Sequence, residues 1–314
     1  MKRLSLTSDT GKTIRECFES FIVKCTVRNL SPATTATYRK HYDIFEEFMG
    51  GADIPIDEVT EQNIDDFIIH LRTRPRCGEI TINSYLRSIR SFLYYSMELG
   101  CLPHFKIKLL RVEKKIKETY TDGELKKLLK KPDVSKCGFT DYKIWAFSNY
   151  LIGTGNRISS ALNLKIKDLD FDSGIINIRK TKNRKAQIVP MSAALSAVLT
   201  EYLSYRKGEP DDYVFCNAYG GKPDIRTYQD SLQKYNNQRG VAKTSAHLYR
   251  HTFAKKWILN GGDIFRLQKI LGHSDLTVVR EYVNMFNSDL AVGFNEFNPL
   301  DSLAVTNRGQ RIKL

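Results

Sequence analysis

The sequence predicts a mainly α protein with a small antiparallel sheet, divided into two domains. Three observations predict it. The first hundred residues carry four stretches with apolar residues at helical spacing. A lysine-rich stretch without a clean period follows at 103–119. Beyond it, helical stretches are interrupted by a pair of β-branched runs within residues 171–192. A length of 314 residues allows two domains with cores of their own. The expected division is a helical domain over 1–112, a basic linker over 113–119, a second domain over 120–297 and a weakly structured tail over 298–314.

The first helix is placed at 12–27, with Ile14, Cys17, Phe18, Phe21 and Ile22 on one face. Ser31-Pro32 opens a second, running to about Met49, because proline suits the first helical position. Thr60 starts a third, with Ile64, Phe67, Ile68 and Leu71 turned inward, and the fourth covers Glu79 to Leu99. Four short helices make one small all-α domain. On the fourth helix Asn83, Arg87 and Arg90 share a row, and Thr34, Thr35 and Arg39 form a similar face on the second. Such a face can enter a DNA major groove, although on the residues alone a plain solvated face is the simpler reading. Lys106, Lys108, Arg111, Lys114, Lys115 and Lys117 suit phosphate contacts along a strap between domains.

In the second domain, Thr121 and Glu124 form a capping box for a helix over ELKKLLKK. The run DYKIWAFSNYLIGTG is apolar enough to be buried and stops at Gly153 and Gly155. Arg157 then sits near the start of another helix, where a cation joins free backbone N–H groups. Two strands follow, Ile175, Ile176 and Ile178 before a basic turn and Ile188 and Val189 after it. Helices are expected over 191–207 and 225–238, with a strand and loop in EPDDYVFCNAYGGKP between them. His247 and Arg250, three apart, share a helix face that Gly261-Gly262 end. Asp263 caps the next helix, with Ile264, Leu267, Ile270 and Leu271 inward, and Gly272 ends it. His273 lies in the turn, Ser274 caps a third helix, and Tyr282 falls about two turns into it.

These residues suit attack on a phosphodiester. Arginine holds a phosphate by a planar fork, histidine moves protons near neutral pH, and tyrosine can become a covalent nucleophile. The rival is a zinc site, since His247 and His251 are four apart. That mechanism needs Glu after the first His, and Leu248 stands there. A lone Tyr among 16 is ordinarily structural; the spacing of the whole set singles out Tyr282. The net charge of +14 fits a polyanionic partner. Six cysteines without CxxC pairing fit reduced thiols, and the lack of a signal peptide or an 18-residue apolar run points to a soluble intracellular protein.

His247-x-x-Arg250, then Leu271-Gly272-His273-Ser274, then Tyr282 nine residues after His273 resembles the signature of tyrosine recombinases, the phage integrase family. The likeness covers roughly residues 12–297 and is strongest over 150–190 and 245–285. It implies a helical core-binding (SAM-like) domain that grips DNA, with the threonine, asparagine, arginine and lysine faces named above as DNA contacts, followed by a mixed α+β catalytic domain. It implies catalytic roles for Tyr282, Arg157, Lys182, His247, Arg250 and His273. Lys182 is found by counting back from Ile188-Val189-Pro190, with Lys180 and Lys185 as rivals should the register slip. Many members carry Glu three residues after the first arginine; this chain has Ser160.

The resemblance further implies a 3′-phosphotyrosyl intermediate without metal, ATP or other cofactor. It also implies a double-stranded DNA recombination site, a homo-tetramer on DNA, room for an accessory DNA-bending or directionality factor, no membrane partner, and a cytoplasmic, nucleoid-associated location. The basic linker and tail favour integration and excision of a mobile element over Xer-like resolution of chromosome or plasmid dimers. Leu303, Ala304 and Val305 are candidates to anchor the tail on a neighbouring protomer, or simply a disordered end. A type IB topoisomerase would use nearly the same residues, but the two-domain layout and the LGHS spacing favour a recombinase. A catalytically silent DNA-binding protein would need no aligned nucleophile.

Overall fold

The computed structural model describes residues 11–113, 118–179 and 186–272. The chain forms two compact units, residues 1–115 and 116–314.

The first unit holds α1 (Ile14–Val27), α2 (Pro32–Met49), α3 (Glu61–Thr73) and α4 (Glu79–Glu98). The starts of α1, α2 and α3 are set by side chains that satisfy orphan N–H groups, whereas α4 starts at Gly78 without one. Thr13 and Glu16 make a reciprocal capping box, Ser31 accepts from Thr34 N, and Thr60 pairs with Asn63. The inward faces meet in an aromatic core. Phe18 stacks on Tyr42 at 3.7 Å, and the Phe92 ring meets Phe18 edge-on at 5.4 Å.

Two features depart from the sequence reading. Residues 102–110, read from the sequence as lacking a period, are built onto the first core. Leu102 and Ile107 are buried in the first core, and Phe105, Leu109 and Leu110 pack against it. Lys106 and Lys108 stay exposed between them. From Phe105 to Leu109 inward residues alternate with exposed lysines, which marks a short extended strap with one face inward. Asn83 is the second correction. It is 4% exposed and does not belong to an outward row. Its amide donates to Leu110 O at 2.9 Å and accepts from Leu110 N at 2.8 Å, so it holds the strap to α4.

The second unit holds α5 (Asp122–Leu129), α6 (Phe139–Thr154), α7 (Ile158–Ala161), β1 (Leu169–Asp170), β2 (Ile175–Ile178), β3 (Gln187–Pro190), α8 (Ala193–Arg206), α9 (Ile225–Gln238), α10 (Ala246–Leu259) and α11 (Ile264–Leu271). α6 is apolar on nearly every side, and a helix of that kind belongs in the centre. It packs against α5, α8, α9 and α10. Among the described residues the sheet has three antiparallel strands in the order β1-β2-β3. Ile176 pairs with Val189, and Ile178 with Gln187. β1 was not foreseen, because a two-residue strand leaves no periodic trace.

The strand expected in EPDDYVFCNAYGGKP does not form. Tyr213 makes only an isolated bridge to Lys165, flanked by Ile166 N to Asp212 O and Val214 N to Leu164 O. Val214 and Phe215 are fully buried, so their apolar character reflects the core and not a strand. No helix among the described residues is long and apolar enough to cross a membrane.

Candidate functional site

The site is built where helix ends meet. α6 ends at Gly155 in the left-handed conformation (φ +63°). A Cβ there would lie 2.5 Å from the Phe253 ring and 2.8 Å from Leu271. Only glycine permits both the backbone turn and the close approach of α10 and α11. The loop that follows is anchored from inside. Asn156 donates to the Tyr150 hydroxyl at 2.8 Å, and Thr154 Oγ1 donates to Tyr150 O at 2.7 Å. Burial raises the Tyr150 pKa well above its ordinary range, so this hydroxyl stays protonated as part of the scaffold. Arg157 emerges two residues after Gly155, half-buried, and its side chain has no hydrogen-bond or ion-pair partner among the described residues.

α10 supplies the other cation. Ser245 caps it and accepts from His247 N. His247 is exposed, while Arg250, one turn on, is 3% exposed. The shared face therefore runs from solvent into the interior. The Tyr249 hydroxyl bonds Ser148 Oγ at 3.2 Å and ties α10 to α6. Arg250 Nη1 donates to Gly155 O at 2.9 Å and Nη2 to Leu271 O at 2.7 Å. Both acceptors are the unsatisfied carbonyls of helix C-termini, where each macrodipole is equivalent to roughly half a negative charge. A buried guanidinium is costly unless charge and hydrogen bonds offset it, and these two ends do so.

This one side chain joins three segments that are far apart in sequence: the Gly155–Arg157 loop, α10, and the end of α11. His247 stacks near His251, ring centres 6.5 Å apart. Lys182, with its rivals Lys180 and Lys185, and His273 and Tyr282 lie outside the described residues. So do Lys114, Lys115 and Lys117, and Leu303 to Val305 in the tail.

Two residues that brace the ends of the β2–β3 connection were missed by sequence reasoning. Gln187 Nε2 donates to Lys269 O at 2.9 Å and also to Ile270 O, at the end of α11. Asp168, buried, accepts from Arg179 Nε at 2.5 Å and from Lys165 N at 3.0 Å. A polar residue opening a short strand was the only signal for Gln187, and it is a weak one.

On the first unit, Arg87 is exposed, Arg90 half-buried, and Lys106, Lys108 and Arg111 exposed. Arg39 is exposed but engaged, donating to both oxygens of Glu19 at 2.5 and 2.9 Å. Thr34 Oγ1 pairs with Ser31 Oγ and Thr35 Oγ1 donates to Pro32 O, so both hydroxyls serve the start of α2.

Comparison with known proteins adds to this geometry. The pattern described as "Phage integrase family" matches residues 118–288, and that described as "Phage integrase SAM-like domain" matches 13–116. The chain is 26% identical over 283 residues to tyrosine recombinase XerD of Staphylococcus aureus, covering 87% of this chain and 94% of that protein. It is 27% identical over 269 residues to a tyrosine recombinase of Pseudothermotoga lettingae, covering 84% and 91%. Among solved structures, XerA recombinase is 26% identical with a TM-score of 0.51, covering 91% of this chain and 99% of that one. The Tn1549 transposon integrase, in complex with circular intermediate DNA, is similar in fold at 23% identity, with a TM-score of 0.72, covering 86% and 94%. A lambda integrase dimer bound to a COC′ core site is also similar in fold, at 14% identity and a TM-score of 0.71, covering 90% and 80%.

Proposed function

Because the chain belongs to the phage integrase family of tyrosine recombinases, enzymes that cut and rejoin DNA, we propose that it recombines double-stranded DNA at specific sites through Tyr282 and serves to integrate and excise a mobile element. The observation that carries the reading is the Arg250 guanidinium, bonded to Gly155 O and Leu271 O. It gathers the Arg157 loop and the chain leading to His273 around one buried cation. The first unit supplies the DNA grip through Thr34, Thr35, Arg87, Arg90, Lys106, Lys108 and Arg111, with Arg39 exchanging Glu19 for phosphate.

Tyr282 loses its proton with the help of His247, and its oxygen forms the new bond to phosphorus. The bond from phosphorus to the 5′ oxygen breaks, and Lys182 delivers a proton to that oxygen. Arg157, Arg250 and His273 hold the non-bridging oxygens, whose charge grows in the transition state. A tyrosine near its ordinary pKa of about 10 is a poor nucleophile at neutral pH, so proton removal must accompany attack. The phosphotyrosyl bond conserves the energy of the diester, and a 5′-hydroxyl of another strand reverses the step. Two such rounds within a tetramer exchange both strands. An accessory factor that bends DNA would set direction, and the protein would act on the nucleoid in the cytoplasm.

The likeness to XerD over 94% of that protein favours a second reading, resolution of chromosome or plasmid dimers. Covalent trapping tests the chemistry, and the DNA that is cut separates the two roles. Wild type and Tyr282→Phe are incubated without added metal with nicked duplexes from the ends of the neighbouring element and from the host's dimer-resolution site. A denaturing gel should show a protein–DNA adduct with wild type alone, on the element ends. An adduct only on the resolution site assigns the second role. No adduct on either, with both proteins shifting DNA on a native gel, overturns the catalytic reading.

A further inference from the structure

Gln187 ties the strand that follows the candidate lysines to the end of α11. It is the first residue of β3, and its partner in the ladder, Ile178, is the last residue of β2. The connection between them contains all three candidate general-acid lysines. Its first leg is held by the ion pair of Arg179 with buried Asp168. Its second leg is held by Gln187, whose amide donates to Lys269 O and Ile270 O. Those carbonyls belong to the last turn of α11, which Gly272 closes in the left-handed conformation. A Cβ on Gly272 would stand 2.6 Å from Gln187 Oε1. The glutamine therefore fills the space a side chain at 272 would need, and His273 is the next residue along the chain.

A helix end can be capped by water, by a glycine turn or by any nearby donor. α11 already has its glycine turn. A second cap, reaching in from the strand that follows the lysines, does more than satisfy carbonyls. It fixes the distance between the root of the lysine hairpin and the root of the histidine turn. Resting on the function proposed above, we infer that Gln187 is a positioning residue that registers the general-acid lysine against the phosphate held by His273 and Arg250. Its amide touches neither substrate nor reacting atoms. It acts by keeping the proton donor in reach of the 5′ oxygen.

The test separates positioning of the acid from simple support of the fold. Once trapping has mapped the scissile phosphate, two nicked duplexes are compared, one ordinary and one with sulfur in place of the bridging 5′ oxygen. A thiolate leaves without protonation, so cleavage of the second duplex needs no acid. Gln187→Met, which keeps length but donates nothing, should cleave the ordinary duplex about ten-fold more slowly or worse, since general acids contribute roughly 10²–10⁴-fold and small misplacements erode that strongly. On the sulfur duplex it should match wild type within about two-fold, because no acid is required there. Gln187→His, which restores an N–H donor, should recover much of the ordinary rate.

Three outcomes overturn the inference: Gln187→Met cleaving the ordinary duplex like wild type; equal losses on both duplexes; or a loss that merely follows a fall in thermal stability. If wild type forms no adduct on either duplex, it is the proposed function that has failed.

Discussion

The two arginines of the candidate site should behave differently when removed, and the difference tests whether Arg250 is built into the fold. Arg250 is 3% exposed and donates to Gly155 O and Leu271 O at 2.9 and 2.7 Å. Hydrogen bonds involving a charged group contribute about 1.5–3 kcal/mol each, and losing the donor leaves two buried carbonyls unsatisfied. Against that stands the desolvation of the cation, whose removal is favourable. Arg250→Ala should thus cost about 3 kcal/mol of the second unit's stability, the lower end of the range of about 3–5 kcal/mol for breaking a buried, paired charge. Arg157 is half-buried without a partner among the described residues, so Arg157→Ala should change stability by less than about 0.5 kcal/mol.

Urea unfolding reads this directly. The chain's two tryptophans, Trp145 and Trp257, both lie in the second unit, so their fluorescence reports that unit. With a slope of about 2 kcal/mol/M, the Arg250→Ala midpoint should fall by about 1.5 M. The Arg157→Ala midpoint should stay with wild type. Both variants should form little covalent adduct while still binding DNA. If the two unfold at the same urea concentration, the carbonyl contacts of Arg250 carry no weight and the structural argument for the site falls.

Asn83→Ala should weaken DNA binding although Asn83 is buried: it frees the strap from α4, and the slope of log affinity against log salt should shrink by about one to two as Lys106, Lys108 and Arg111 lose their fixed places. A slope equal to wild type would count against the strap as a DNA contact. His41 is buried between α2 and α4, with Nδ1 at 2.7 Å from Ser88 Oγ and its ring 4.2 Å from that of Tyr85, and burial, helped by nearby Lys40, lowers its pKa. The unfolded chain therefore binds the proton more readily, so the first unit should lose stability as pH falls through about 6.5. Hydrogen exchange of α2 and α4 amides should show faster opening at acidic pH, and His41→Gln should remove that pH dependence. Replacing arginine by lysine at the two positions should also divide them: Arg157→Lys should keep measurable adduct formation, while Arg250→Lys should fall to the level of Arg250→Ala.

The helices were legible because their burial is periodic and their caps are local. Thr13, Ser31, Thr60, Thr121 and Asp263 each announce a start within four residues of sequence. The Gly155-x-Arg157 turn was legible for the same reason: a glycine after an apolar run is a strong stop. What stayed hidden depends on partners distant in sequence. Asn83 looked like part of an exposed row because Leu110, 27 residues on, is the group that buries it. The strap at 102–110 looked aperiodic because its alternation runs for only a few residues among lysines. Gln187 and Lys269 are 82 residues apart, and nothing near either one marks the contact. Arg250 could be nominated from its spacing to His247, yet its burial between two helix ends could not.

That burial bears on how such a site would hold a phosphate. A guanidinium is planar, with five donors in a fixed fork. Two of the donors of Arg250 are directed to carbonyls of different helices, which sets the plane of the fork before any anion arrives. A lysine ammonium in the same place could reach one carbonyl or the other, but it has no plane to be set. Preorganised charge is the form that lowers a barrier most, because little ordering remains to be done during reaction. Arg157 stands at the other extreme, positioned by its backbone through Gly155 and Asn156 while its side chain remains to be ordered by the ligand. In the proposed mechanism the chain would thus divide the work between a cation fixed by the fold and a cation fixed by the substrate. The first would tie catalysis to the meeting of α6, α10 and α11, so a motion that separates those helices would take Arg250 out of its fixed plane and disassemble the phosphate site.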